Sequence, residues 1–166
     1  MLIRRETDAD VDAIDAVHRA AFPTEVEARL VRALRADAGW LPAVSLVAEG
    51  EQADVVGHVV GTIGYVGEVA VLGLGPIGVL PEHQGGGAGS ALMHAVLGGA
   101  DALDYPVVVL LGSTGYYPRF GFVAAASLGI TPTDPAWGEH FQARPLANWS
   151  PSIAGPFRYA APFDEL

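Results

Sequence analysis

The seven residues Gln84-Gly85-Gly86-Gly87-Ala88-Gly89-Ser90 hold the densest concentration of chemically useful backbone in this chain. Glycines in such a run can turn consecutive main-chain N–H groups into one concavity. Where a helix starts directly after them, its unpaired first-turn amides and its positive end add to the field. That arrangement binds phosphate. A glycine cluster by itself signals only a bend, because glycine supplies positive φ wherever a chain turns sharply, so the flanking segments decide. Val69 to Val79 is too apolar for a surface strand and reads as a strand of the sheet core, while Ala91, Leu92, Ala95, Val96, Ala102 and Leu103 recur at helical spacing. The glycines therefore stand between a strand and a helix.

Other chemistries fail on residue type. A P-loop needs a lysine followed by Ser or Thr after its last glycine, but Ser90 and Ala91 follow Gly89 and the nine Lys+Arg residues are all arginine. Gly73-Leu74-Gly75-Pro76-Ile77-Gly78 satisfies the dinucleotide fingerprint G-x-G-x-x-G, yet it lies inside the apolar run and leads into Val79-Leu80-Pro81 instead of a helix. With no cysteine and no lysine, thiolate nucleophiles, thiolate metal sites, disulfides and Schiff bases are all unavailable.

The elements that must position this turn follow from the pattern. Leu2 to Arg5 reads as a short strand. Thr7 with Asp10 makes a capping-box-like start to a helix carrying Val11, Ile14, Val17 and Ala21, which Pro23 ends. Thr24 with Glu27 repeats the device before Leu30, Val31 and Leu34, with Gly39 as the expected stop. Arg29, Arg32 and Arg35 on that second helix read as a solvated face. Val44 to Glu49 is a strand, Glu51 to Asp54 a turn, and Val55 to Val66 another strand. Gly73, Gly75 and Gly78 along the fourth strand point to a bulge or a close approach to the backbone. After the helix, Val107 to Leu111 is a fifth strand, parallel to the fourth across a helical crossover. The proline-rich remainder from Ala124 holds strand-like pieces at Phe141 to Arg144 and Phe157 to Ala160, with Trp137 and Trp149 as covering aromatics.

Val79-x-Pro81-x-x-Gln84-x-x-Gly87-x-Gly89 resembles the acetyl-CoA signature of the GNAT superfamily of N-acyltransferases, V-x-P-x-x-[QR]-x-x-G-x-[GA]. Tyr117-Pro118-Arg119-Phe120-Gly121-Phe122 is similar to the Y-x-[KR]-x-G-F element that follows the family's fifth strand, and Leu110-Leu111-Gly112 ahead of Tyr116-Tyr117 resembles the bacterial YhbS-type subgroup. Two motifs in order, one helix and one strand apart, are more specific than either alone. The resemblance, over most of residues 2 to 125, implies an α/β GNAT fold: a mixed, mostly antiparallel sheet with parallel fourth and fifth strands and flanking helices. It implies acetyl-CoA as cosubstrate, with amides near Ile77, Gly78 and Val79 polarising the thioester carbonyl. The amides of Gln84, Gly85, Gly86, Gly87, Ala88, Gly89 and Ser90 would bind the pyrophosphate. Acetyl transfer to a primary amine in a ternary complex follows, with no metal, and with Tyr117 as the acid that protonates the departing thiolate. A phenol of reference pKa about 10 stays protonated for that task, and Tyr116 is the packing neighbour. The base is absent from its familiar places, since the positions six and four residues before the signature valine are Gly73 and Gly75. Glu68, His58, Glu49, His83 and a water chain stay open.

Composition bounds the rest. At 166 residues, 51% hydrophobic and 17% charged, the chain is expected to form one domain over 1–166, with a core of about 2–125 and a covering segment over 126–166. The net charge of −10 disfavours nucleic acid and favours a cationic amine, borne by a small molecule or a peptide. The apolar stretch from Val55 to Leu80 is interrupted by His58, Glu68 and glycines, so it reads as several strands and not as a membrane span. Asp8, Asp10 and Asp12 follow Arg4 and Arg5 with no apolar core of a signal peptide, which makes the cytoplasm the expected compartment. Two readings stay open, an acetyltransferase or a CoA-responsive binding module without turnover, as does assembly into a homodimer.

Overall fold

The computed structural model describes residues 1–166. Strand β1 (Leu2–Arg5) is followed by helices α1 (Val11–Ala21) and α2 (Val26–Arg35), then by the antiparallel strands β2 (Trp40–Glu49), β3 (Val55–Val66) and β4 (Val69–Val79). Helix α3 (Ala88–Ala102) crosses to β5 (Val107–Leu111), and β6 (Val123–Ala124), β7 (Ile130–Thr131), β8 (Phe141–Pro145) and β9 (Gly155–Arg158) complete the sheet. The strands run β1-β2-β3-β4-β5-β8-β6, with β9 pairing to the end of β3 and to β7. All pairs on the main path are antiparallel except β4 with β5, which the α3 crossover makes parallel. This is the mixed sheet with parallel fourth and fifth strands expected from the sequence.

Capping fixes where the chain enters α1. The Asp10 carboxylate accepts the Thr7 N–H at 2.7 Å and the Thr7 hydroxyl at 2.9 Å, and Arg4 pairs with the same carboxylate at 2.8 Å. Helix α1 then buries Ile14 and Val17 against the sheet, and α2 buries Leu30, Val31 and Leu34 on the same face beside Val47 and Val60. Helix α3 covers the opposite face, where Leu92, Met93 and Val96 meet Val44, Val59 and Leu72. Each fully buried aliphatic there contributes about 1.5–3 kcal/mol, so α3 is anchored firmly behind the glycine turn.

Several boundaries differ from the sequence reading, β8 by one residue at Pro145 and three elements by more. Helix α2 ends at Arg35, well before Gly39, whose N–H donates to the Asp37 carboxylate at 2.7 Å; Gly39 belongs to the turn into β2. Strand β2 begins at Trp40, four residues before Val44, because Trp40 stays in register with Thr62 of β3 across a bulge. The last strand is Gly155–Arg158, since only Phe157 and Arg158 find partners on β3, at Val66 and Tyr65. No helix is long and apolar enough to cross a membrane.

Candidate active site

Strands β4 and β5 pair only at Leu72–Val108 and Gly73–Val109, and beyond Gly73 they diverge. The divergence starts at a bulge. Gly61 of β3 faces Leu74 while Val59 faces Ile77, so three steps on β4 match two on β3, with Gly75 at φ +126°. An antiparallel ladder alternates its amides between the two sides of a strand. The Leu80 N–H donates to Val56 of β3 at 2.9 Å, so Gly78, two residues earlier, also turns its N–H towards β3. The amides of Ile77 and Val79 thereby face the gap, and the Val79 carbonyl does too, since it accepts the Gln84 side-chain amide at 3.0 Å. Of the three residues expected on this strand, Gly78 is the exception: it leaves space and does not offer a donor.

Beyond β4, Gly87 at φ +93° turns the chain into α3. The first helical hydrogen bond runs from Ala91 to the Gly87 carbonyl, and the amides of Gly85, Gly86, Gly87, Ala88, Gly89 and Ser90 have no partner within the chain. Gln84 departs from the expected set. Its N–H donates to the Pro81 carbonyl at 3.3 Å and its side chain holds the end of β4, so it braces the turn.

Two cavities meet at the gap. The first, about 440 Å³, is lined by the glycine turn, Ile77, Val79, Tyr116 and Arg119. Tyr116, expected to be packing, thus borders the glycine side; its hydroxyl would lie 3.1 Å from a Cβ on Gly89, and Arg119 lies over its ring at 4.6 Å. The second, about 540 Å³, lies on the α1–α2 side between Leu74–Ile77 and Leu110–Leu111, closed by Phe22, Leu30, Trp137, Tyr159 and Phe163. Its charged lining residues are Glu27, Asp134 and Asp164, with no arginine or histidine among them, and the Glu27 Oε2 atom is buried without a partner. Ile77 lines both cavities, and Tyr117 lines the second. Burial, with Tyr116 beside it, pushes the Tyr117 phenol up to about 12. Its ring lies against Gly112, where any Cβ would fall inside the ring's contact distance, so that glycine sets the phenol's place.

The candidate bases separate. Glu68 is exposed in the β3–β4 turn, at the far end of β4 from the gap. Glu49 pairs with Arg4 at 2.7 Å, and His83 is exposed on the rim of the glycine turn. His58 is fully buried and bonded to Glu6, Ser45 and His18. A side chain at Gly73 would meet the Tyr159 ring at 2.9 Å, so the tail fills that position, while the Gly75 position is open. His18 and the tail aromatics were not foreseen. His18 shares the apolar face of α1 with Ile14 and Val17, which reads as core, and the aromatics arrive through contacts of long sequence separation.

The comparisons agree with this geometry. The acetyltransferase (GNAT) family model matches residues 12–122. An uncharacterised N-acetyltransferase of Escherichia coli K12, YhbS, is 35% identical over 150 residues, 89% of each chain. The crystal structure of E. coli YhbS in complex with CoA superposes with a TM-score of 0.88 at 30% identity, covering 98% of this chain and 91% of that one. A GNAT family acetyltransferase of Brucella melitensis in complex with acetyl-CoA gives 0.80 at 33% identity, covering 98% and 97%. Diverging parallel strands, a glycine turn with free amides and a family match over most of the chain lead to one placement: this protein belongs to the GNAT acetyltransferase family.

Proposed function

We propose that the chain uses acetyl-CoA as its cosubstrate and transfers the acetyl group to a primary amine by direct attack in a ternary complex. The observation that carries this reading is the junction at Ile77, where a cavity bordered by unpaired amides meets an apolar cavity whose only charges are carboxylates. The amides from Gly85 to Ser90 would receive the diphosphate, drawing on the positive end of α3. The Ile77 and Val79 amides, aimed into the gap, would polarise the thioester carbonyl and stabilise charge as it develops on that oxygen.

On the other side, the partnerless Glu27 oxygen would hold the acceptor's ammonium, and the aromatic wall would take an apolar body. That combination favours a small arylalkyl or alkyl amine over a polar one. Tyr117, raised well above neutrality by burial, would hold its proton until the thiolate departs and then release it to sulfur. CoA bound to relatives with 30% and 33% identity supports the first half of the reading.

The test follows free CoA with a panel of primary amines, from phenethylamine and hexylamine to amino acids and polyamines. CoA release that depends on an added apolar amine is expected. Tyr117→Phe should fold, bind acetyl-CoA as before and lose transfer rate by ~10²–10⁴-fold. Turnover unchanged in that variant would remove the phenol from the chemistry.

A further inference from the structure

Glu6, Ser45, His58 and His18 form a buried polar chain that ends beside the cofactor strand. Arg35 donates to Glu6 Oε1 at 2.8 Å, and the Ser45 hydroxyl donates to Glu6 Oε2 at 2.5 Å. His58 Nε2 lies 3.1 Å from Glu6 Oε2 and 2.9 Å from Ser45 Oγ, and His58 Nδ1 lies 2.9 Å from His18 Nε2. Both imidazoles are fully buried. His18 Nδ1 has no partner, and it lies 3.1 Å from where a Cβ on Gly78 would be.

The bonding fixes where the protons are. Glu6 is held ionised at about 2: burial opposes its charge, but hydrogen bonds from His58, Arg35 and Ser45 outweigh that. A carboxylate only accepts, and the one Ser45 proton is spent on it, so His58 Nε2 must carry a hydrogen. Burial keeps both imidazoles neutral, with Glu6 pulling His58 the other way, and His58 and Arg35 adding to the depression of His18 while Asp15 opposes it. A neutral His58 then has a bare Nδ1, which His18 can meet only by donating its Nε2–H. One lone pair is left over, on His18 Nδ1, directed at β4. Asp15 on α1, Arg35 on α2 and Asp10 before α1 are the other charged groups facing this pair.

We propose that Glu6, His58 and His18 form a proton relay for the acceptor amine, entered at His18 Nδ1 through one water seated beside the Phe22 ring. The Phe22 ring stacks on that of His18, with centroids 5.9 Å apart and planes 13° apart, and it also lines the apolar cavity, so one side chain touches both the imidazole and the acceptor's cavity. The inference rests on the acetyl-transfer reading above. Once the bound ammonium has given one proton to solvent, the neutral nitrogen bonds to the thioester carbon, the C–S bond breaks, and sulfur takes the Tyr117 proton. The nitrogen loses a proton through the water to His18 Nδ1. The His18 Nε2–H passes to His58 Nδ1 and the His58 Nε2–H to Glu6. The protons then shift back along the same bonds, the one on His18 Nδ1 leaves through the water, and solvent returns one to Tyr117, which restores both imidazole tautomers and the Glu6 carboxylate. This supplies the base that glycine at positions 73 and 75 withholds.

His18→Gln keeps a side-chain N–H donor towards His58 and replaces the basic ring nitrogen with an amide, whose oxygen accepts hydrogen bonds but does not take up a proton. With the amine turned over fastest in the panel above, kcat should fall ~10²-fold or more while KM for the amine and acetyl-CoA affinity hold. An unchanged kcat, or a rise in KM for the amine with kcat kept, overturns the relay and leaves acetyl transfer standing. If His18→Gln fails to fold, ¹⁵N imidazole NMR of the unaltered, CoA-loaded protein decides. A bare His18 Nδ1 whose resonance moves when that amine is added supports the relay; a protonated Nδ1, or no response, overturns it. Absence of transfer to every amine by the unaltered protein is a separate result that removes the acetyl-transfer reading and the relay together.

Discussion

Gly78 shows how one missing side chain can decide what a strand is for. Its N–H is turned towards β3, and a Cβ there would lie 3.1 Å from His18 Nδ1 and 3.3 Å from the Ala21 Cβ. Gly78→Ala should therefore destabilise the fold by about 1–3 kcal/mol in urea unfolding, because helix α1 must shift to admit the methyl. It should also slow transfer more than it weakens acetyl-CoA binding. The glycine turn and Tyr117 were legible in the sequence because each belongs to a short motif whose own residues lie within a few positions of one another. His18 was not, since a histidine on an apolar helix face has the same pattern as a core residue. What gives it meaning, the pairing with His58 forty residues away, exists only after β3 and α1 have packed.

At the scale of elements, the Glu6 chain ties the loop after β1 to β2, β3, α1 and α2 through one set of protons. Both His18, lowered to about 3 by burial and by His58, and Glu6, lowered to about 2, have folded values below their unfolded ones. Each then contributes stability that is complete above the unfolded pKa and lost as pH falls towards the folded value. The imidazole contribution should fade from about pH 6.5 downwards, and the carboxylate's from about 4.5 downwards. Urea midpoints measured from pH 7.5 to 4.5 should show stability falling by up to about 1.4 kcal/mol per pH unit for each such imidazole, with the slope reduced in His18→Gln. Strand positions were readable wherever alternation or an apolar run extended past four residues. The two-residue strands β6 and β7 carry too few residues for any period, and β2 gained its first residues from pairing across a bulge and not from its own pattern.

For the whole molecule, the charge of −10 acts oppositely on the two proposed ligands. The glycine turn meets an anion with uncharged amides, helped by Arg119, against a repulsive mean field, whereas the apolar cavity meets a cation with three carboxylates in an attractive one. Added salt screens the distant charges and leaves short-range donors nearly intact. Raising ionic strength from about 0.01 to 0.15 M, where the screening length drops from roughly 30 to 8 Å, should raise KM for the amine while acetyl-CoA affinity holds or improves. A parallel loss of both would refute this division. The division is also one of chain segments. The turn, its helix and the splayed strand lie within residues 69–102, while Trp137, Tyr159 and Phe163 on the wall of the apolar cavity come from the segment after residue 125. The aromatic part of the acceptor wall is thus carried on a different piece of polypeptide from the glycine turn, while Phe22, Glu27 and Leu30 of the wall come from the N-terminal helical segment. Grafting the tail of a relative onto this sheet is a route to a new amine preference with the donor half left untouched.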